Sequence, residues 1–172
     1  ADVLPFFRRQ ESDENFSGSP WHGADGPLPV WRAPRSAWGP VDRAAAEAAL
    51  ALGYPWSDDL NAPHSTGVAH YPITCRSGRR VSTNDAYLEP ARGRNNLSIV
   101  GDALADRIVF TGRQAVGVEV LHGNRRTTYR GREIIVSAGA VHSPCILMRS
   151  GIGDPAKLGE HGIAVREALP GV

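Results

Sequence analysis

Apolar residues alternate with small or charged ones between Ala115 and Leu121, where Val116, Val118 and Val120 are separated by Gly117 and Glu119. A period of two places those valines on one face of a strand and predicts one buried and one wet side. Arg107 to Phe110 and Thr127 to Arg130 read as its partner strands, joined through the turn formers Thr111-Gly112 and His122-Gly123-Asn124. The pattern predicts a three-stranded meander. Leu97 to Val100 and Ile134 to Val136 are continuous apolar runs, as expected of buried strands. Earlier in the chain Leu28, Val30 and then Val68 to Thr74 read as strands, with Pro72 pointing to an edge position because it has no N–H for a ladder.

Helical signals are punctuated by caps and breakers. Asp42 as cap, an alanine-rich body from Ala44 to Leu52 and a stop at Gly53, with Pro55 beyond, predict one clear helix. Ser82-Thr83-Asn84-Asp85 has the spacing of a capping box, so a short helix carrying Tyr87 and Leu88 is expected to stop before Pro90. After the Ile134 run, Ser137-Ala138-Gly139-Ala140 ends the strand with almost no side-chain bulk, which lets another molecule approach the backbone. Ser143 is the expected cap of the next helix and Pro144 its first turn. Gly151 and Gly153 stop that helix, Asp154-Pro155 starts another, and Gly162 closes it.

Composition narrows the field without choosing within it. A chain of 172 residues that is 41% hydrophobic can bury one core, and a net charge of +1 leaves no nucleic-acid footprint. No apolar run approaches the ~20 residues needed to span a bilayer. Arg79-Arg80 and Arg125-Arg126 lie beside glycines and read as solvated hairpin turns. Cys75 and Cys145 lack metal-ligand spacing and read as free thiols. None of His22, His64, His70, His122, His142 and His161 has carboxylate company in the sequence, so structural or exposed roles are expected, with His70 the one most open to a pocket role. Asp58-Asp59 and Asn61 read as a loop fixed by side-chain to backbone hydrogen bonds. Gly151 to Ala156 formally fits a dinucleotide-binding turn, but it follows a helix, and Asp154 would face a phosphate; a helix stop followed by a helix start is expected instead.

Residues 139 to 153, GAVHSPCILMRSGIG, resemble the second signature of the glucose-methanol-choline (GMC) flavin oxidoreductases. Gly139, Ala140, Ser143, Pro144, Ile146, Leu147, Ser150, Gly151, Ile152 and Gly153 meet its fixed positions. HGADGPLPV (His22 to Val30), GYPWSDDLN (Gly53 to Asn61), GRRVSTNDAYLEPA (Gly78 to Ala91) and NNLSIVGDALADRIVF (Asn95 to Phe110) are similar to successive blocks of the same family.

The resemblance implies an α/β fold: residues 1–80 as part of an α+β substrate-binding domain, and residues 81–172 as part of a Rossmann-like FAD-binding domain with an inserted β-meander. It implies FAD as cofactor and a small alcohol as substrate, oxidised at its CH–OH group by hydride transfer to the flavin. Cofactor contacts fall on Ala105, where most members carry Val and the contact is main-chain, and on Ser137, Ala138 and Gly139 beside the adenosine half. The family's glycine-rich dinucleotide turn and its catalytic histidine have no counterpart here. The chain is therefore expected to be an internal fragment that alone binds no FAD with useful affinity, with no catalytic or metal-binding residue of its own and cytoplasmic placement favoured. A GMC-type hydroxynitrile lyase with structural FAD and a non-enzymatic binding module remain the alternatives.

Overall fold

The computed structural model describes residues 2–172. The chain divides into two compact units, the first ending at Leu97 and the second running Ser98–Val172. Residues 81–97, expected with the second part, thus lie with the first. Val81 N–H continues the ladder of that unit by donating to Thr74 O at 2.9 Å.

In the first unit, helix α1 (Leu4–Gln10) leads into β1 (Glu11–Asp13), followed by β2 (Leu28–Arg32), α2 (Pro40–Ala51), β3 (Pro72–Arg76) and β4 (Arg79–Arg80). The sheet order is β1-β2-β3-β4, parallel between β1 and β2 and antiparallel elsewhere. Residues two apart on a strand share a face, so buried Val30 and buried Arg32 point the same way from β2. That orientation sends a guanidinium inward.

The first strand of the pair around Pro72 is shorter than expected. Val68 to Tyr71 stay outside it, and Val68 instead bridges Trp56, with reciprocal bonds to Pro55 O and Ser57 N–H at 2.8 Å each. Pro72 opens β3 opposite Arg32 of β2, and β3 lies between β2 and β4 rather than at the edge of the sheet as expected. Helix α2 starts at Pro40 behind Gly39; Asp42 sits in the first turn and accepts the Gly39 N–H at 3.2 Å. Gly53 at φ +89° ends it.

Ser82 and Asp85 do form the expected cap, Ser82 N–H donating to Asp85 Oδ2 at 2.7 Å. The helix does not stop before Pro90, however. A wide π-type turn over Asn84–Leu88 runs into α3 (Glu89–Ala91), which contains Pro90. Widening the turn relieves the clash a proline ring makes with the carbonyl one α-turn behind.

The second unit contains the meander, β5 (Leu104–Thr111), β6 (Gln114–His122) and β7 (Arg125–Arg130), in that order and antiparallel. Gly112 and Gly123 make the turns at φ +57° and +58°. Val120 is buried on β6. The opposite face is drier than its sequence implied: a Cβ on Gly117 would lie 2.6 Å from Tyr129 O, and Glu119 is half-covered by Arg107 and Arg126. Arginine stems cover that face while their charged ends stay in water.

Helix α4 (Gly139–Arg149) packs against β5 and is followed by β8 (Ile152–Gly153), α5 (Pro155–Glu160) and β9 (Glu167–Ala168), with β8 and β9 parallel. Its N-cap is Ala138 rather than Ser143. Ser143 caps from inside the helix, its Oγ accepting the Ala138 N–H at 2.9 Å, and Pro144 is an interior residue rather than a first-turn one. The Gly-x-Gly-x-x-Ala stretch is a stop and a start, as expected: Gly151 has φ +84°, and Asp154 Oδ1 accepts the Ala156 N–H at 2.9 Å. Leu158, fully buried, anchors α5, and Gly162 at φ +66° closes it.

Leu97 to Val100 and Ile134 to Val136 belong to no strand. Ile99, Val100 and Ile135 are exposed, Ile135 at 84%. An apolar run becomes a strand only where a neighbour returns its N–H and C=O bonds. No described segment of this chain lies alongside either run.

Candidate functional site

Ala105 lies in β5 opposite Val120, and the register slips by one residue between Ala105 and Arg107, leaving Asp106 as a β-bulge. The main chain there is held from the end of α4. Arg149 donates from Nε to Asp106 O at 2.7 Å and from Nη2 to Ala105 O at 3.4 Å. Ser137, Ala138 and Gly139 stand at the other end of that helix, all exposed. Gly139 has φ +86°, a conformation glycine adopts without a steric penalty, and no atom lies within 4 Å of where its Cβ would project. Among the described residues no hydrogen bond joins Ala105 to Ser137–Gly139. The first N–H groups of α4 have no intrahelical acceptor, as at any helix start.

The first unit holds a buried charge cluster that sequence reasoning missed, because it assigned no carboxylate to any histidine. His22, 1% exposed, has Nδ1 at 2.9 Å from Glu11 Oε1 and 3.1 Å from Asp13 Oδ2, and Nε2 at 2.8 Å from Asp59 Oδ2. Ionised carboxylates only accept, so the arrangement is satisfied when both ring nitrogens donate. Arg32 grips both oxygens of Asp13 from Nη1 at 2.9 and 2.8 Å and reaches Asp59 Oδ1 from Nη2 at 3.2 Å. Its guanidinium also lies 4.6 Å from the centre of the Phe16 ring. Backbone N–H groups of Asn15, Phe16, Gly23 and Asn61 complete the carboxylates.

Glu11, Asp13 and His22 bring three possible ligand atoms within 4.8 Å of one another, but Arg32 already supplies the cation to Asp13. The cluster therefore ties β1, the His22 turn, β2 and the Asp59 loop together. One signal for it was available: Glu11 and Asp13 alternate on a strand and share a face. Asp59 does bond the Asn61 N–H, as expected of the loop.

Burial opposes the charge of Asp59, yet the His22 ring, the Asn61 N–H and the Arg32 charge together outweigh it and hold this carboxyl below the ordinary aspartate range. A lowered folded pKa stabilises the fold above the unfolded value of about 3.9 and loses that contribution as pH falls through the folded value. Asp59→Asn, which removes this titration, is expected to give a shallower fall in urea midpoint on acidification below about pH 4. Equal slopes in parent and variant would contradict the assignment.

The other histidines have no such company. His70 is outside the strand expected to carry it; its Nδ1 donates to Ala33 O at 2.8 Å, and its ring sits edge-on to Trp38 and Trp56, with centroids 5.2 and 5.1 Å away. His161 is the C-cap of α5. Cys75 and Cys145 are free thiols, Cys75 buried and Cys145 half-buried.

With the geometry in place, comparison with known proteins is decisive. The family model described as GMC oxidoreductase matches residues 1–163. The chain belongs to the GMC oxidoreductase family. It is 42% identical over 175 residues to an oxygen-dependent choline dehydrogenase of Pseudomonas aeruginosa (strain LESB58), covering 99% of this chain and 31% of that protein. The corresponding enzyme of Burkholderia thailandensis is 43% identical over 173 residues, covering 99% and 30%. Among solved structures, pyridoxine 4-oxidase from Mesorbium loti superposes with a TM-score of 0.81 at 34% identity, covering 98% of this chain and 33% of that one. An FAD-dependent oxidoreductase from Chaetomium thermophilum gives 0.77 at 28%, covering 99% and 32%. The chain thus spans about a third of the length of the GMC relatives it matches. Its mixed α/β fold is that of the family, consistent with an FAD-binding Rossmann-like region. No described helix is long and apolar enough to cross a membrane.

Proposed function

We propose that the full-length protein is an FAD-dependent oxidoreductase that oxidises the CH–OH group of a small alcohol. The family match over residues 1–163 carries this reading. The relatives' names, choline dehydrogenase and pyridoxine 4-oxidase, both describe oxidation of an organic substrate.

The residues present suit an adenosine-bearing cofactor. Ser137, Ala138 and Gly139 form an exposed, low-bulk turn leading into the N–H groups at the start of α4, with open space beside Gly139. We assign them, with the main chain of Ala105, to the adenosine half of FAD. When bound, the flavin supplies the hydride acceptor for the alcohol C–H. This chain's part is to bind and orient the cofactor. His22 is fully engaged in its own cluster and His70 is fixed against two indoles, which supports assigning the acceptor of the hydroxyl proton to neither of them.

The expected result for the purified full-length protein is FAD in stoichiometric amount and turnover with choline or another small alcohol. A protein that carries no flavin and cannot be reconstituted with it would contradict the reading. Within it, Ala105→Val is expected to keep flavin content near normal, whereas Ala105→Pro is expected to lose it, because proline removes the main-chain donor and disrupts β5. Equal flavin loss in both, measured from the visible spectrum, would count against the main-chain assignment.

A further inference from the structure

The Asp106 bulge is held in place by residues from one short stretch at the end of α4. Arg149 Nε donates to Asp106 O at 2.7 Å and lies 3.1 Å from Asp106 Oδ1, while Nη2 reaches Ala105 O at 3.4 Å. One residue on, Ser150 Oγ accepts the Ile108 N–H at 2.8 Å and donates to Ile146 O at 2.6 Å. A bulge disrupts its own ladder and leaves main-chain groups needing other partners. Here those partners come from α4. On the other side of the bulge, Arg126 pairs with Asp106 at 3.0 Å and with Glu119, fixing the Asp106 carboxylate that faces Arg149.

We propose that Arg149 and Ser150 are positioning residues for the cofactor: they lock the Asp106 bulge and thereby set the main chain of Ala105 that meets the adenine. This rests on the assignment of Ala105 to the adenosine half of FAD. The two residues touch no cofactor themselves. Their effect is confined to one end of the ligand, because α4 meets β5 through its C-terminal end, where a cation is also favoured by the helix dipole. The guanidinium's fixed fork addresses a carbonyl, a second carbonyl and a carboxylate at once, a geometry a lysine ammonium does not reproduce.

The test uses the full-length apoprotein and three probes: FAD, ADP and FMN, the last lacking adenosine. Arg149→Met is expected to weaken FAD and ADP in parallel, by about tenfold, the low end of what losing the charge-assisted hydrogen bonds that hold the bulge costs. FMN affinity is expected to stay within about twofold, since a shift of that size is near the noise of a lost surface contact. Arg149→Lys is expected to fall between parent and Arg149→Met. Ser150→Ala, which cuts the tie to Ile108 while leaving the charges intact, is expected to weaken ADP in the same direction and serves where the arginine variant does not fold. Unchanged ADP affinity in a folded variant overturns the proposal. So does equal weakening of ADP and FMN, which is the mark of a general structural role. A parent protein that binds FMN or FAD but not ADP refutes the adenosine assignment, and one that binds no flavin refutes the flavoenzyme reading; the proposal falls with either.

Discussion

Replacing Arg32 with methionine is expected to cost the first unit about 3–5 kcal/mol, the range for removing one partner of a buried ion pair. Methionine keeps most of the side-chain length and removes every donor. Asp13, 2% exposed, then loses both of its bonds from Arg32, and Asp59 loses one. Their charges remain buried beside Glu11 with only the His22 ring and backbone N–H groups as partners, and an uncompensated buried charge is far more costly than the pair was stabilising. The stacking of the guanidinium on Phe16 is lost as well. The measurement is the urea midpoint of the first unit in the intact protein, followed by proteolysis between β1 and the Asp59 loop. A shift corresponding to less than about 1 kcal/mol would show that the cluster is solvated and contributes no more than a surface ion pair.

Gly139→Val is expected to abolish flavin incorporation. A β-branched residue at φ +86° is held in a region that L side chains rarely adopt, a strain of about 1–3 kcal/mol, and it sits at the point where the chain turns into α4. Within this chain the Cβ position is open, so the intrinsic penalty is backbone strain and the steric part falls on the cofactor. Gly139→Asn separates the two, because asparagine tolerates positive φ while still projecting a side chain. Flavin lost in both variants supports close approach of the cofactor; flavin kept in the asparagine variant assigns the whole effect to strain. Nearby His142 is exposed on the first turns of the same helix. His142→Ala is expected to leave turnover within a few-fold, a barrier change below ~1 kcal/mol. A ~100-fold loss in the chemical step with flavin still bound would make that histidine catalytic.

Features fixed by neighbours in sequence were legible, and those fixed by distant partners were not. The meander follows from a two-residue period and two glycine turns, all local, and it forms over nearly the expected residues. The Ser82 cap and the double helix punctuation at Gly151 and Asp154 are local too. By contrast, the Leu97 and Ile134 runs carried a signal for burial, and burial alone does not supply a ladder partner. In the sequence Pro90 reads as a helix stop and Pro144 as a first-turn residue, the two places where proline's missing N–H usually costs least. The π-turn before Pro90 accommodates one of them. The internal cap from Ser143 lies beside the other. Of the His22 cluster only the Glu11–Asp13 alternation was legible, because its other members are brought together across β1, β2 and the Asp59 loop, with His22 and Asp59 37 residues apart. The proposed adenosine contacts at Ala105, Ser137, Ala138 and Gly139 rest on resemblance; what the structure shows there is the bulge at Asp106 and the positive φ at Gly139.

Anaerobic titration of the purified full-length protein with a small alcohol, choline first, tests the oxidoreductase reading most directly. Bleaching of the oxidised flavin spectrum, reversed on admitting oxygen or another acceptor, is the predicted result. A protein that holds FAD yet shows no bleaching with any alcohol tested, while cleaving a cyanohydrin, would contradict it and leave the flavin a structural role.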